Sequence, residues 1–294
     1  MRIEDDLLPL DADALRRWPL PEVPGDADKE LRGRTLIVAG GREIAGAAVL
    51  AATAALRAGA GKVLIATVAP VATAMALAVP EARVVALPET SAGGISMDAV
   101  PLLEDCVHDV DAVLAGPGLV DEPATSALVE WLLSALGDTP VVVDALAMKV
   151  LGRIARFEGR AVLTPHAGEM AGLIECSKEQ VQSDAARCAR EAARDWHAVV
   201  ALKGAVTTIA SPEGRGWRHE GGEPGLATSG SGDVLAGLIT GLLARGAPPD
   251  QAACWGVVLH AMSGAALSQR MGPVGYLARE LPQEIPALMR DLQP

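Results

Sequence analysis

The segment Gly225–Gly237 reads Gly-Leu-Ala-Thr-Ser-Gly-Ser-Gly-Asp-Val-Leu-Ala-Gly and frames one carboxylate with glycines. It passes from a glycine-rich turn into the apolar pattern of a helix over residues 234–244. Backbone N–H groups at the start of a helix bind anions, and the helix dipole favours negative charge there. We therefore expect Gly230, Ser231 and Gly232 to form an anion hole for a phosphate.

Asp233 directly follows this anion hole. A carboxylate beside a bound phosphate is electrostatically unfavourable unless it has a task, such as orienting or deprotonating an attacking hydroxyl group. The pattern therefore predicts Asp233 as a general base in phosphoryl transfer. The alternative is that Ser231 or Asp233 only caps the helix.

Lys203 and Gly204 provide a second candidate contact for phosphate. They stand between the β-branched runs 199–202 and 206–210, so we expect them at the end of a strand. A cation and an open backbone at that position can contact the phosphates of a nucleotide. A lysine at a strand end is usually just solvated, and this alternative stays open.

The segment Leu163–Met170 combines a strand end, a proline turn, an imidazole and a carboxylate. His166 is a candidate hydrogen-bonding partner for a substrate. Glu169 either holds a Mg²⁺-bound water or caps the helix that follows. The other histidines lack metal-ligand spacing and are interpreted as structural or surface residues: His108, His197, His219 and His260.

Short β-branched runs alternate with Ala- and Leu-rich segments from Thr35 onward, a pattern typical of β-α-β units and a mainly parallel sheet. The predicted strands are 35–39, 63–67, 83–87, 112–115, 141–143, 161–163 and 199–202, with 206–210 as a hairpin partner. The carboxyl ends of parallel strands line the ligand crevice of an open sheet. We therefore expect the strand ends to meet at one rim, namely Gly40-Gly41, Gly116-Pro117-Gly118, Asp144, Thr164-Pro165-His166 and Lys203-Gly204.

The chain has 294 residues, half of them hydrophobic, with one Tyr, one Phe and five Trp. This composition predicts a core of Ala, Val, Leu and Ile in one large α/β domain over residues 34–294. Residues 1–33 contain Pro19, Pro21 and Pro24, and we expect an irregular N-terminal arm there.

The formal net charge of −12 argues against binding to nucleic acid or to an anionic membrane, because such binding needs clustered Lys and Arg. The four cysteines form no C-x-x-C pair, which favours reduced structural thiols. The acidic start Met-Arg-Ile-Glu-Asp-Asp is unlike a signal peptide, and no apolar run is long enough to span a membrane. We expect a soluble, cytoplasmic enzyme whose partners are small molecules.

Five segments, in this order, resemble the ADP-dependent NAD(P)H-hydrate dehydratase family of the ribokinase-like superfamily. The resemblance covers about residues 34–290, and its segments are Ala58-Gly-Ala-Gly61, Gly116-Pro-Gly-Leu119, Leu163–Met170, Leu202-Lys-Gly-Ala205 and Gly225–Gly237. It implies a three-layer α/β/α fold with a central, mainly parallel sheet. It also implies ADP-dependent dehydration of NADHX and NADPHX, the hydrated forms of NADH and NADPH, with release of AMP and phosphate.

The resemblance also implies roles for individual residues. Nucleotide contacts fall on Lys203, Gly204, Ala205, Val206, Thr207 and Gly232. Substrate contacts fall on Ala47, Gly118, His166 and Asp233, with Asp233 as the catalytic carboxylate. The implied co-substrate is ADP or ATP with Mg²⁺, the implied assembly is a homotetramer, and a separate epimerase is the implied functional partner.

The chain departs from the family pattern at two positions. Arg42 follows Gly40-Gly41 where the family tends to have serine, and Leu146 stands where it often has the second aspartate of Asp-Ala-Asp-Ala-Leu. Two rival interpretations stay open: a ribokinase-like kinase of a thiazole or pyrimidine alcohol, and a non-catalytic nucleotide-binding module. The sequence contains no asparagine, which excludes the Asn-x-x-Glu magnesium motif of many sugar kinases.

Overall fold

The computed structural model describes residues 7–22, 29–154 and 156–293, in which a ten-stranded sheet separates two layers of helices. The strand order is β1-β10-β9-β8-β7-β6-β5-β2-β3-β4. The strands are β1 Leu8–Pro9, β2 Arg34–Val38, β3 Lys62–Val68, β4 Arg83–Leu87, β5 Ala112–Ala115, β6 Val141–Val143, β7 Ala161–Leu163, β8 Val199–Leu202, β9 Val206–Ala210 and β10 Gly216–Glu220.

The strands from β4 to β8 in the sheet are parallel, whereas β9 and β10 form an antiparallel extension. The strand order reverses between β2 and β5, which places the topological switch point at their carboxyl ends. The predicted parallel sheet and the β8–β9 hairpin are thus confirmed. β10 is an addition that its polar sequence, Gly-Trp-Arg-His-Glu, did not predict.

Side chains of successive strand residues point to opposite faces of the sheet, and each face packs on its own helices. Ile37 joins one core cluster with helices α2, α9, α10 and α11, while Leu36 and Val38 join the other with α4, α5, α6 and α8. The helices are α1 Ala12–Arg16, α2 Gly46–Arg57, α3 Ala69–Ala78, α4 Val100–Val107, α5 Glu122–Ala135, α6 Ala167–Leu173, α7 Lys178–Ser183, α8 Ala185–Trp196, α9 Ser231–Ala244, α10 Pro249–Met271 and α11 Leu281–Leu292. The predicted three-layer arrangement is confirmed.

The N-terminal arm is not irregular throughout, contrary to the prediction. β1 pairs in parallel with β10, and Leu15 of α1 is fully buried in the core. The ring of Trp18 stacks on that of Trp217 at 5.8 Å, and the Trp255 indole N–H donates to the Trp18 carbonyl at 2.9 Å. The arm escaped prediction because its order comes from these tertiary contacts rather than from a local pattern.

The four cysteines are free thiols, as predicted. Burial raises the pKa of Cys254 well above its ordinary value. Among the helices that the structure describes, none is both long and apolar enough to cross a membrane.

Candidate active site

The predicted strand ends meet at the carboxyl edge of the parallel strands. The Gly41 N–H donates to the Gly118 carbonyl at 2.7 Å, which joins the ends of β2 and β5. The Lys203 N–H donates to the Pro165 carbonyl at 2.8 Å, which joins the ends of β7 and β8. The expected convergence on one rim is therefore confirmed.

Helix α9 begins at this rim with an open N-terminus. Its N-cap, Gly230, has φ +88° and provides no side-chain cap. The backbone N–H groups of Gly232 and Asp233 have no hydrogen-bond partner among the described residues. These free donors, together with the dipole of a 14-residue helix, can bind an anion as the sequence predicted.

Two glycines hold α9 close to α2 and so fix the position of this N-terminus. A Cβ on Gly237 would lie 2.2 Å from the carbonyl oxygen of Ala51, and one on Gly241 would lie 2.5 Å from that of Ala55. Only glycine permits this approach, because a methyl group at either position would overlap the backbone of α2. The anion hole is therefore supported by rigid packing between the two helices.

Asp233 is the third residue of α9, and among the described residues its carboxylate accepts no hydrogen bond from the backbone. The capping alternative therefore has no support for this residue. Burial and the nearby Asp144 carboxylate raise the pKa of Asp233 to about 6, with Lys203 acting in the opposite direction. A carboxylate with that pKa is a stronger base than an exposed aspartate and is still ionised at neutral pH.

Lys203 is the central cation of the site. Its Nζ lies 3.2 Å from Asp144 Oδ1 and 3.9 Å from Glu169 Oε2. Burial disfavours its charge, but the carboxylates of Asp144 and Glu169 outweigh that effect and raise the pKa of Lys203. Lys203 is thus a fixed charge beside the anion hole rather than a freely solvated side chain.

Asp144 is a buried partner whose role in the site was not predicted. It follows β6 and accepts a hydrogen bond from Thr164 Oγ1 at 2.7 Å in addition to the contact with Lys203. The sequence placed Asp144 on the rim but gave no signal for this pairing, which joins the ends of three strands.

His166 and Glu169 form a capping box at the start of α6. The Nδ1 atom of His166 accepts hydrogen bonds from the Gly168 and Glu169 N–H groups at 3.0 and 3.1 Å. The Glu169 Oε2 atom accepts one from the His166 N–H at 2.8 Å. The capping interpretation of Glu169 is thus observed, and its other carboxylate oxygen remains available for a further contact.

A cavity of about 730 Å³ lies beside the anion hole. Its volume suits a small organic ligand. Of the predicted site residues, its wall includes His166, Lys203, Gly204, Ala205, Thr207, Ser231 and Gly232. Its apolar walls are Leu226, Leu235, Val257 and Ala261.

Six predicted residues lie outside the wall of this cavity: Ala47, Gly118, Glu169, Val206, Gly230 and Asp233. Ala47 and Gly118 adjoin each other at the switch point, since a Cβ on Gly118 would lie 2.9 Å from that of Ala47. Gly118 has φ +66°, a backbone conformation that favours glycine. Asp233 directly follows Gly232, which lies on the cavity wall.

The two departures from the family pattern have different surroundings. Arg42 forms a two-point ion pair with Glu89, with Nη2 at 2.5 Å from Oε1 and Nε at 3.1 Å from Oε2. Leu146 lies half-buried in a 3₁₀ turn over Ala145–Gly152, directly after Asp144. The first aspartate of the family pattern is therefore present and paired with Lys203.

Two histidines that were interpreted as structural or surface residues adjoin the cavity. His219 is buried and its Nδ1 lies 2.7 Å from the Leu10 carbonyl of the N-terminal arm. His260 of α10 contacts Ser231 and lies on the cavity wall. Isolated histidines carry no spacing signal, so only the tertiary structure could find them.

The described residues contain no group of three or more His, Cys, Asp or Glu side chains that could hold a metal ion. A magnesium ion that accompanies a nucleotide takes most of its ligands from phosphates and water. The free carboxylate oxygen of Glu169 fits an outer contact to such an ion through water.

The chain resembles known proteins over nearly its whole length. The family profile described as NAD(P)H-hydrate dehydratase matches residues 35–287. The chain is 48% identical over 279 residues to the ADP-dependent (S)-NAD(P)H-hydrate dehydratase of Xanthomonas campestris pv. campestris, a match that covers 95% of this chain and 94% of that protein.

A longer relative and a solved structure also carry names of NAD(P)H-hydrate repair enzymes. The chain is 41% identical to the bifunctional NAD(P)H-hydrate repair enzyme of Moorella thermoacetica over 94% of its length, and it spans 53% of that protein. It is 29% identical to the ADP/ATP-dependent NAD(P)H-hydrate dehydratase of Bacillus subtilis co-crystallised with ATP/Mg²⁺. That structure superposes with a TM-score of 0.83, covering 97% of this chain and 99% of the other.

Proposed function

Because the chain belongs to the NAD(P)H-hydrate dehydratase family, we propose that it restores NADH and NADPH from their (S)-hydrates at the expense of ADP. The observation that carries the proposal is the uncapped N-terminus of α9, which joins free N–H donors to a carboxylate whose pKa is raised to about 6. A phosphate bound there would lie beside a general base.

The nucleotide is assigned to the cavity. Lys203–Ala205 forms the turn between β8 and β9, and all three residues lie on the cavity wall with Thr207 of β9 and with Gly232. The charge of Lys203 and the N–H groups of α9 both favour phosphate there. The family resemblance adds Val206, the first residue of β9, as a contact.

The hydrate is assigned to the switch-point side, where Ala47 and Gly118 meet. Asp233 lies in the first turn of α9, so we assign to it the hydroxyl group of the hydrate, while the nucleotide phosphate lies at the start of the same helix. The family resemblance adds His166, which lies on the cavity wall, as a further proposed contact of the hydrate.

The proposed reaction makes a poor leaving group into a good one. Transfer of the terminal phosphoryl group of ADP to the ring hydroxyl forms a phosphate ester and AMP, and the hydroxyl proton passes to Asp233. The electron pair of the ring nitrogen then expels phosphate, and loss of a proton from the adjacent ring carbon restores the dihydronicotinamide. The free N–H groups of Gly232 and Asp233 stabilise the charge on the transferred group.

Magnesium is assigned to the nucleotide phosphates, with Glu169 as its outer contact through water. When bound, Mg²⁺ supplies neutralisation of phosphate charge during the transfer. Residues of this chain provide the remaining positive charge, chiefly through Lys203.

Partners are proposed from the family. Bifunctional relatives are about twice the length of the matched region, so we propose that a separate epimerase interconverts the hydrate epimers for this enzyme. We also propose a homotetramer, which size-exclusion chromatography with light scattering would test.

The assay that tests this function follows the near-ultraviolet absorbance of reduced nicotinamide as it returns from purified hydrate. We expect recovery with ADP and Mg²⁺ and none without nucleotide, with ATP as a parallel sample. Phosphorylation of a thiazole or pyrimidine alcohol without any recovery would favour a small-molecule kinase instead. ADP binding without either reaction would favour a non-catalytic module.

A further inference from the structure

His260 is fixed against the anion hole by one of its two ring nitrogens. Its Nε2 atom lies 3.0 Å from the Ser231 carbonyl oxygen and 2.9 Å from Ser231 Oγ. A carbonyl oxygen only accepts hydrogen bonds, so Nε2 must carry the proton. In the neutral ring, Nδ1 is then a bare acceptor.

The acceptor Nδ1 is reachable from the cavity. It has no hydrogen-bond partner in the described part of the chain, yet it is not among the fully buried polar atoms that lack one. His260 itself lies on the cavity wall beside Ser231 and Ala261. A lone acceptor that faces a ligand cavity selects for a ligand donor at that point.

The ring stays neutral under ordinary conditions. Burial lowers the pKa of His260 to about 4, with Lys203 acting in the same direction and the bond to Ser231 opposing it. His260 therefore does not act as a second cation for phosphate, and its acceptor nitrogen persists at neutral pH.

We propose that His260 is a specificity-determining residue of the nucleotide site, whose Nδ1 accepts a hydrogen bond from an N–H or O–H donor of the nucleoside while its Nε2–H positions Ser231. This inference rests on the proposed use of a nucleotide. The donor is either the exocyclic amino group of the base or a ribose hydroxyl, two sources of the same hydrogen-bond chemistry. An unmatched acceptor in this place disfavours nucleosides that lack the donor.

The bond to Ser231 has its own consequence for phosphate binding. Because a protonated Nε2 cannot accept a hydrogen bond, the hydroxyl group of Ser231 does not donate to His260 and its proton is free to point elsewhere. Ser231 begins α9, where that proton can supplement the N–H donors of the anion hole. His260 thus connects recognition of the nucleoside with preparation of the phosphate site.

Two substitutions separate these contacts. His260→Gln places an amide nitrogen near the position of Nε2, so it keeps the donor to Ser231 and loses the acceptor at Nδ1. His260→Asn places an amide oxygen near the position of Nδ1 and does not reach Ser231. His108→Gln, at the exposed end of α4, is the matched control.

The test is calorimetric binding of ADP, inosine diphosphate and the deoxyribose analogues of ADP to wild type and variants, with thermal melts to verify folding. Inosine diphosphate lacks the amino group, and each deoxy analogue lacks one ribose hydroxyl. Wild type should bind one of these analogues more weakly than ADP by about 3-fold to 10-fold, as expected for one hydrogen bond. His260→Gln should abolish that difference, whereas His260→Asn should keep it and lower kcat.

A second test uses the wild-type protein and observes the Nδ1 atom of His260 directly. Nitrogen NMR of wild type labelled at histidine should show the Nδ1 resonance of His260 moving on addition of ADP, in the direction of a hydrogen-bonded acceptor. The inference is overturned if wild type binds ADP but His260→Gln keeps every preference and the resonance does not move. If wild type binds no nucleoside diphosphate at all, both the proposed function and the inference about His260 are wrong.

Discussion

The helices α6 and α9 begin on the same rim, and each carries a carboxylate at its third residue, yet their N-termini are opposite in character. At α6 the His166 side chain and Glu169 satisfy the backbone donors in a capping box. At α9 the N-cap is Gly230, and the N–H groups of Gly232 and Asp233 are free among the described residues. The backbone donors of one terminus are satisfied by its own side chains, whereas those of the other are open to a ligand.

The difference shows how two similar local sequences acquire different tasks. Glu169 is long enough to reach back to the N-cap N–H, and the N-cap His166 has a side-chain acceptor. Asp233 follows a glycine N-cap in a left-handed conformation and makes no such bond. Its unpaired carboxylate, half-buried near Asp144, has a raised pKa that suits a general base.

The largest expected effect separates the two carboxylates directly. Asp233→Asn should lower kcat by about 10²-fold to 10⁴-fold, because the general base is lost. ADP affinity should stay nearly unchanged, because the N–H groups of α9 remain. Stopped assays of hydrate turnover and calorimetry of ADP binding measure the two quantities.

The matched variant in α6 is Glu169→Gln, which makes the same carboxylate-to-amide change while a glutamine still serves the capping box. It should keep most of the turnover at saturating Mg²⁺ and require more Mg²⁺ for half-maximal rate. Near-wild-type turnover of Asp233→Asn would mean that Asp233 is not the general base, and the two carboxylates would then not differ in catalysis.

The next effect concerns the open N-terminus itself. Gly230→Ala should raise the Kd for ADP by about 5-fold to 30-fold, since a left-handed alanine costs about 1–2 kcal/mol and the helix start relaxes away from it. A Cβ there would also lie 2.4 Å from Leu50 Cδ1. Calorimetry of ADP binding provides the measurement.

Gly246→Ala is the control for backbone strain. Gly246 has the same φ of +88°, but nothing lies within 4 Å of its would-be Cβ. It should lower the melting temperature without changing ADP affinity. If both variants weaken ADP binding equally, the geometry of the α9 terminus is not specific to the ligand.

The pH profile of turnover should report the ionisation of Asp233. With a pKa of about 6, Asp233 loses the ionised form as the pH falls, so log kcat/KM should bend downward near pH 6 and drop about tenfold per unit below it. Turnover of wild type and Glu169→Gln across pH 4.5 to about 8 checks this. A profile that is flat through this range would contradict the general-base assignment.

The smallest effect is on stability. Glu169→Ala breaks the capping box of α6 and should lower the free energy of unfolding by about 1 kcal/mol. Urea denaturation measures the change, with Glu169→Gln expected to stay close to wild type. A loss with Glu169→Ala that far exceeds this value would show that the pairing of Glu169 with Lys203 matters more than the cap.

The sequence was sufficient for the elements that follow from local pattern. β-Branched runs predicted the strands from β4 to β9 residue for residue, and the glycine-rich segment before Asp233 predicted that a helix begins there. Their convergence followed from the geometry of parallel strands, which places carboxyl ends together. The order of the five segments that resemble the NAD(P)H-hydrate dehydratase family then indicated which reaction to expect.

What the sequence could not predict depends on contacts between distant residues. The capping alternative stayed open for Glu169 and for Asp233 until the backbone showed which carboxylate reaches its N-cap. The pairing of Lys203 with Asp144 and the contact of His260 with Ser231 join residues far apart along the chain. The strand pairing of the N-terminal arm depends on β10, whose polar sequence gave no strand signal.

The central claim is that the ring hydroxyl is phosphorylated beside Asp233 before it leaves, and the fate of its oxygen tests this most directly. Hydrate prepared in heavy-oxygen water carries the label on that hydroxyl and can be turned over with ADP in ordinary water. We expect the label in the released phosphate, with one AMP formed for each reduced nicotinamide recovered. Label found in solvent water, with unlabelled phosphate, would contradict the mechanism.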